Sequence, residues 1–161
     1  MLNFMAWSEY MAGIRAKLGA DLLLTPAAGV ALFDPQGRVL LGRHSDDVRW
    51  GTPGGGMDPG ETPRQAACRE LLEETGLQAI GIELIDAFGG ADFEVVHTTG
   101  ARTAYVVVLY GAKTWTGDVE LQPDELTEVG WFGRHQTGAL DLPPDMHRML
   151  PAAFFWYEAS R

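Results

Sequence analysis

The segment Gly55-Gly56-Met57-Asp58-Pro59-Gly60-Glu61-Thr62-Pro63-Arg64-Gln65-Ala66-Ala67-Cys68-Arg69-Glu70-Leu71-Leu72-Glu73-Glu74-Thr75-Gly76-Leu77 restricts this chain more than any other stretch. A glycine-rich turn leads into a helix that carries its own start and stop signals. Thr62 suits the N-cap, Pro63 suits the first helical position, and Gln65 completes a capping box with Thr62. Gly76 stands where a left-handed residue ends a helix. Glu70, Glu73 and Glu74 lie three and four residues apart, so they neighbour one another on one face across an arc of about 100°. Cys68, Leu71 and Leu72 point away from that arc and offer an apolar face, whereas Ala66 falls among the carboxylates and leaves room there. Carboxylates crowded in this way repel each other unless they share a counter-ion. A hard divalent cation with oxygen ligands is the natural one. The alternative is an acidic, solvated helix face; the glycine turn, the cap and the embedded Arg69 favour the metal site.

Charge sharpens that reading. The net charge of −10 argues against general affinity for a nucleic-acid backbone, so no nucleic-acid polymer is expected as a partner. A small phosphate-bearing ligand is a different matter. Within residues 55–77, Asp58, Glu61, Glu70, Glu73 and Glu74 face only Arg64 and Arg69. A diphosphate is repelled from such a site unless divalent cations accompany it, so the acidity points to metal dependence.

Length and composition fit one catalytic domain: 161 residues, 46% hydrophobic and 21% charged. No apolar run reaches the roughly 18 residues of a membrane span. The first residues lack a basic end followed by an apolar core, so no signal peptide is expected. Cys68 is the single cysteine. It cannot form an internal disulfide and favours a reducing, cytoplasmic setting, as a small core residue rather than a nucleophile.

Along the chain, Ser8 to Leu18 reads as a helix ended by Gly19, which makes residues 1–20 an N-terminal helical appendage to a domain at 21–161. Its apolar residues Leu2, Phe4, Trp7 and Tyr10 pack either on their own domain or on a second subunit, so both monomer and homodimer are open. Residues 22–25 and 28–33 read as strands separated by Pro26, followed by a turn at 34–37 and a strand at 38–43. After the acidic helix come extended stretches at 79–87, 94–98, 104–109 and 129–132, then a helix over 144–160 that begins with prolines. Strands with helices before, between and after them predict an α/β sandwich.

The acidic segment resembles the Nudix box, Gly-x5-Glu-x7-Arg-Glu-U-x-Glu-Glu-x-Gly-U with U aliphatic. Gly55, Glu61, Arg69, Glu70, Leu71, Glu73, Glu74, Gly76 and Leu77 fill every defined position. Trp50-Gly51-Thr52-Pro53-Gly54-Gly55 resembles the family's approach to the box, and Glu125 to Phe132 resembles its last-strand segment. The chain is identified on these residues as similar to the MutT-like Nudix hydrolases. The resemblance implies the Nudix fold, an α/β/α sandwich whose mixed sheet carries the loop-helix, and a Mg²⁺-dependent hydrolase with Mn²⁺ as substitute. Its substrate is then a nucleotide, split at the diphosphate linkage.

Carried over by position, Glu70, Glu74 and then Glu73 are the Mg²⁺ ligands, with a carbonyl of Gly54 or Gly55 adding an oxygen. Arg69 orients the carboxylates, Glu61 braces the loop against the helix, and Gly76 closes the helix. The general base is a box glutamate, Glu73 or Glu74, or the late-loop Glu125; for Glu125 an exposed acid is the equal alternative. Glu128 reads as a surface residue. Arg43, Arg49 and Arg102 are candidate phosphate contacts, and Trp50, Phe88, Phe93 and Tyr110 are candidate base-stacking residues, with surface and core positions respectively as the alternatives. No histidine spacing suggests a metal site. Downstream of the box there is neither the proline that marks ADP-ribose enzymes nor the tyrosine that marks dinucleoside polyphosphate enzymes. The expectation is a nucleoside di- or triphosphate, with ADP-ribose or another nucleotide sugar as runner-up. A non-catalytic nucleotide sensor on the same fold is the third reading.

Overall fold

The computed structural model describes residues 7–45, 48–122 and 124–161. The first element is helix α1 (Glu9–Leu18), followed by strands β1 (Leu23–Leu32), β2 (Val39–His44), β3 (Trp50–Gly51) and β4 (Gly54–Gly56). The acidic helix α2 (Pro63–Thr75) comes next, then β5 (Gln78–Ile80), β6 (Glu83–Phe88), β7 (Glu94–Val96), β8 (Arg102–Ala112), β9 (Thr114–Thr116) and β10 (Leu126–Phe132). A short α3 (Arg134–Thr137) and the long α4 (Met146–Ala159) close the chain.

The central sheet is mixed and ordered β4-β1-β8-β6, with β7 also pairing β8. Its spine is the parallel pair β1 and β8, in register from Leu23 opposite Thr103 to Leu32 opposite Ala112. Strands β4 and β6 add antiparallel edges. From Ala27 to Leu32, β1 is buried at every residue. Such a run reads as continuously apolar because both faces are covered. Ala27 and Ala31 pack with Tyr105, Val107, Leu109 and the α4 residues Met149, Ala153 and Phe154. Ala28, Val30 and Leu32 pack on the other side with Ala66, Ala67 and Leu71 of α2. The molecule is therefore an α/β sandwich with α2 and α4 on opposite faces of a mixed sheet. A second sheet is ordered β10-β2-β3, and a two-stranded one pairs β5 with β9.

Several expected boundaries move. Pro26 does not split β1, because its carbonyl faces the β4 side and accepts from the Met57 amide at 3.2 Å. Its missing N–H thus falls just past the last β4 residue, where it costs little. The stretch expected at 79–87 is broken by Gly81 at φ +65 into two strands that join different sheets. The glycine-rich approach to the box is not all turn: Trp50–Gly51 and Gly54–Gly56 pair as strands. Helix α4 starts at Met146, after the prolines, and runs through Pro151 with the freed carbonyl at exposed His147. On α2, Leu72 is 41% exposed, whereas Ala66 is fully buried in the core and leaves no room among the carboxylates. No helix among the described residues is long and apolar enough to cross a membrane. Of the apolar N-terminal residues expected to pack, Leu2 and Phe4 lie outside the described ones, as does Pro123 beside Glu125.

Candidate active site

Helix α2 begins as its sequence dictates. The Gln65 amide donates to Thr62 Oγ1 at 3.2 Å and the Thr62 amide donates to Gln65 Oε1 at 2.9 Å, which closes the capping box. The helix ends at Gly76, with φ +76 and its amide donating to the Leu72 carbonyl at 2.8 Å. Between these caps the acidic side chains divide by burial. Glu74 is 2% exposed, whereas the Glu73 side chain is half exposed.

One guanidinium organises the rest. Arg69 donates through Nε and Nη2 to the two carboxylate oxygens of Glu61, at 2.5 and 2.9 Å. Its Nη1 reaches Glu70 Oε1 at 2.8 Å and Glu73 Oε2 at 3.2 Å, and Nη2 also reaches the Gly56 carbonyl at 3.1 Å. Glu61 accepts in addition from the Asp58 amide at 2.9 Å, so it ties the turn to the helix. The fork geometry of arginine suits such a hub; a lysine presents one point charge and cannot hold both Glu61 oxygens in a fork. The Arg69 hydrogen bond holds the Glu61 carboxyl below its ordinary pKa, and the same bond raises that of the guanidinium.

The remaining carboxylates are pushed the other way. Burial raises Glu70 to about 7, against the pull of Arg69. Burial also drives Glu74 well above the ordinary range, with the Glu70 charge adding to it and a 3.2 Å hydrogen bond from the Gly54 amide opposing it. Glu125 is raised by burial and by the Glu73 charge. Its backbone is pinned to the end of β2, where the Ser45 amide donates to the Glu125 carbonyl at 3.0 Å and Ser45 Oγ donates to the Asp124 carbonyl at 2.6 Å.

Asp58, Arg69, Glu70, Glu73, Glu74 and Glu125 border one cleft of about 240 Å³, and Gly56 adds backbone to its wall. Gly55 backs the cluster instead: a Cβ there would stand 2.6 Å from the Glu70 carboxylate. The donor set is all hard oxygen with a surplus of negative charge, which fits a hard divalent cation. The cluster is not drawn into a ligand sphere, however. Among the described residues no three acidic, histidine or cysteine side chains converge on one point. Arg69 serves as the counter-ion of Glu70 and Glu73 in this arrangement.

Three candidates for substrate contact stand apart from the residues that border the cleft. Phe93 is 3% exposed and stacks on Phe88 at 6.0 Å, inside the core. Arg43 donates to the Val48 carbonyl at 2.8 Å, pairs with Glu128 at 3.3 Å and lies 5.4 Å from the Trp50 ring. Arg49 is half-buried on the same side of β3 in sequence. Cys68 is partly buried and its thiol is pushed up by desolvation, which leaves it a poor nucleophile. Residues that sequence reasoning did not connect with the site also border it: Trp7, Ser8 and Met11, from the N-terminal segment. No local pattern marks them, because their place depends on how α1 docks.

Comparison with known proteins agrees with the geometry. Residues 23–153 match the NUDIX domain. A protein of Caulobacter vibrioides named RNA pyrophosphohydrolase is 37% identical over 147 residues, covering 83% of this chain and 81% of its own. A shorter match to a Novosphingobium aromaticivorans protein of the same name is 48% identical over 69 residues but spans only 43% of that relative's length. Among solved structures, a MutT NUDIX hydrolase from Burkholderia pseudomallei superposes with a TM-score of 0.60 at 27% identity, over 71% of this chain and 86% of that one. The NUDIX domain of Shewanella oneidensis NrtR, in complex with ADP ribose, gives 0.66 at 25% identity over 92% and 97%. With a family match that runs from the first strand into the last helix and an intact box at its centre, the chain belongs to the Nudix hydrolase family.

Proposed function

We propose that the protein is a Mg²⁺-dependent pyrophosphohydrolase that cleaves the diphosphate linkage of a nucleoside di- or triphosphate or a related nucleoside diphosphate derivative. The observation that carries this reading is the charge surplus in the cleft: five carboxylates border it with a single guanidinium that is already committed to Glu61 and Glu70. Such a cleft repels polyphosphate on its own and accepts it with divalent cations. Glu70 and Glu74 are the proposed principal ligands, with Glu73 and a carbonyl of Gly54 or Gly55 completing the set. Bound there, Mg²⁺ would screen the phosphate oxygens, lower the pKa of a bound water and hold the leaving group in line; Mn²⁺ shares the preference for oxygen. Arg69 and Glu61 keep the carboxylates oriented. Either a box glutamate or Glu125, which borders the same cleft, takes the proton of the attacking water. The partly buried, lone Cys68 fits the cytoplasm, the compartment we assign.

A second reading draws on the relatives named RNA pyrophosphohydrolase. A cleft of about 240 Å³ holds little more than a phosphate chain, which suits a triphosphate terminus whose remainder lies outside. The net charge of −10 weighs against a long polyanion. The experiment that separates the readings is a substrate panel with Mg²⁺ and Mn²⁺: nucleoside di- and triphosphates, ADP-ribose and a 5′-triphosphorylated oligoribonucleotide. Fastest release of a nucleoside monophosphate from a free triphosphate is expected. Much faster turnover of ADP-ribose or of the oligonucleotide moves the substrate assignment, and tight binding without turnover of any of them indicates a sensor.

A further inference from the structure

Helix α1 is ten residues long, too short to be stable alone in water. It is held by side chains that reach past its own length. Arg15, 7% exposed, donates to the carbonyls of Gly19, Asp21 and Arg102 and to Thr103 Oγ1 at 2.8 to 3.2 Å. Met11 is buried with its sulfur 3.8 Å from Thr25 Oγ1. Both anchors serve to fix what precedes the helix. Trp7 lies with its ring 5.5 Å from the Arg15 guanidinium and edge-on to His97 at 5.7 Å, and His97 in turn meets Thr103 Oγ1 at 2.9 Å. The indole so held is half-buried and borders the carboxylate cleft.

The cleft is smaller than the roughly 300–1,000 Å³ of pockets that enclose a whole small-molecule ligand. Its lining away from Trp7 and Met11 is polar or backbone. A nucleoside polyphosphate whose diphosphate sits among the carboxylates must therefore place its base at the rim. We propose that Trp7 is a specificity-determining residue that stacks on the nucleobase of the substrate, with Arg15 and His97 as the residues that position it. This rests on the nucleotide reading above and adds the group that recognises the nucleoside. Aromatic stacking accepts every base, so Trp7 selects nucleotides over bare polyphosphate rather than one base over another.

The test is calorimetric binding in Mg²⁺ buffer of two probes, guanosine 5′-(α,β-methylene)triphosphate and inorganic triphosphate, so that it does not depend on turnover. The wild type is expected to bind the nucleotide about tenfold or more tighter than inorganic triphosphate. Trp7→Leu, which keeps an apolar anchor, should weaken the nucleotide about tenfold and leave inorganic triphosphate unchanged. Trp7→Phe should stay close to wild type, and Tyr10→Ala, on the exposed side of the same helix, should change neither probe. Nucleotide binding unaffected in Trp7→Leu, equal losses for both probes, or a wild type that does not prefer the nucleotide would each overturn the proposal. Nucleotide binding through Trp7 with no turnover of the ordinary triphosphates keeps this inference and sinks the hydrolase reading instead.

Discussion

Glu74 sits 2% exposed under the Gly54 amide and beside Glu70, a position that favours its neutral form when no cation is present. Glutamine is nearly isosteric with that neutral acid and still accepts from Gly54. Glu74→Gln is therefore expected to melt at or above the wild-type temperature without metal, while losing Mg²⁺-dependent turnover by orders of magnitude. A variant that both melts lower and retains activity contradicts this account of the site. Gly55→Ala tests the same geometry from the backbone side. The atoms nearest the added methyl group are those of the Glu70 carboxylate, at 2.6 Å, the end of a side chain that gives way more readily than the strand. Activity should fall at least tenfold, as expected when a positioned charge is displaced (about 1.4 kcal/mol or more), with little change in melting temperature. The carboxylate spacing on α2 was legible in the sequence because i, i+3 and i+4 contacts are local, whereas the orienting role of Arg69 was legible only through resemblance, since its fork reaches back to Glu61 and Gly56 across the turn. That Ala66 is buried and Glu74 turns inward was not, because a periodic pattern does not say which edge of the acidic arc faces the sheet.

At the scale of elements, α2 is specified by its ends. Thr62→Ala removes the acceptor for the Gln65 amide and should cost about 1 kcal/mol in denaturant unfolding. Gly76→Ala should cost more. The residue holds φ +76, and a Cβ there would stand 2.8 Å from the Asp118 carbonyl, a backbone atom that cannot swing aside. The left-handed conformation alone costs roughly 1–2 kcal/mol. An equal or smaller loss for Gly76→Ala than for Thr62→Ala would show that the helix end is looser than its geometry indicates. These local signals are why α2 was readable to within a residue. The strands were less so, since pairing decides them: Pro26 is tolerated only because β4 stops beside it, and Gly54–Gly56 become a strand only because β1 lies alongside.

The whole molecule shows how the cleft is assembled from α2, the segment before β10 and the N-terminal segment, which are distant in sequence. That is why Glu125 was legible only through resemblance, and Trp7, Ser8 and Met11 not at all. The collected carboxylates also set the response to pH. Glu70, at about 7, and Glu74 bind protons in the folded state that the unfolded chain releases near its ordinary 4.5. Between those values the folded state holds more protons, so metal-free stability falls as pH rises through the window. Glu61, held low by Arg69, acts in the opposite sense, and its contribution is lost only as pH falls below the ordinary range. Protons compete with the cation for the same oxygens. Added Mg²⁺ should therefore raise the melting temperature more at about pH 7.5 than at about pH 5.5; an equal rise at both would place the cation elsewhere.

The most direct measurement is product analysis of a nucleoside triphosphate incubated with the wild-type protein, in Mg²⁺ and in chelator, beside Glu74→Gln. Nucleoside monophosphate and pyrophosphate are expected from the wild type in Mg²⁺ alone, with none from the variant. Hydrolysis that persists in chelator or in Glu74→Gln, or its absence from wild type with both Mg²⁺ and Mn²⁺, would contradict a metal-dependent pyrophosphohydrolase built on this cleft.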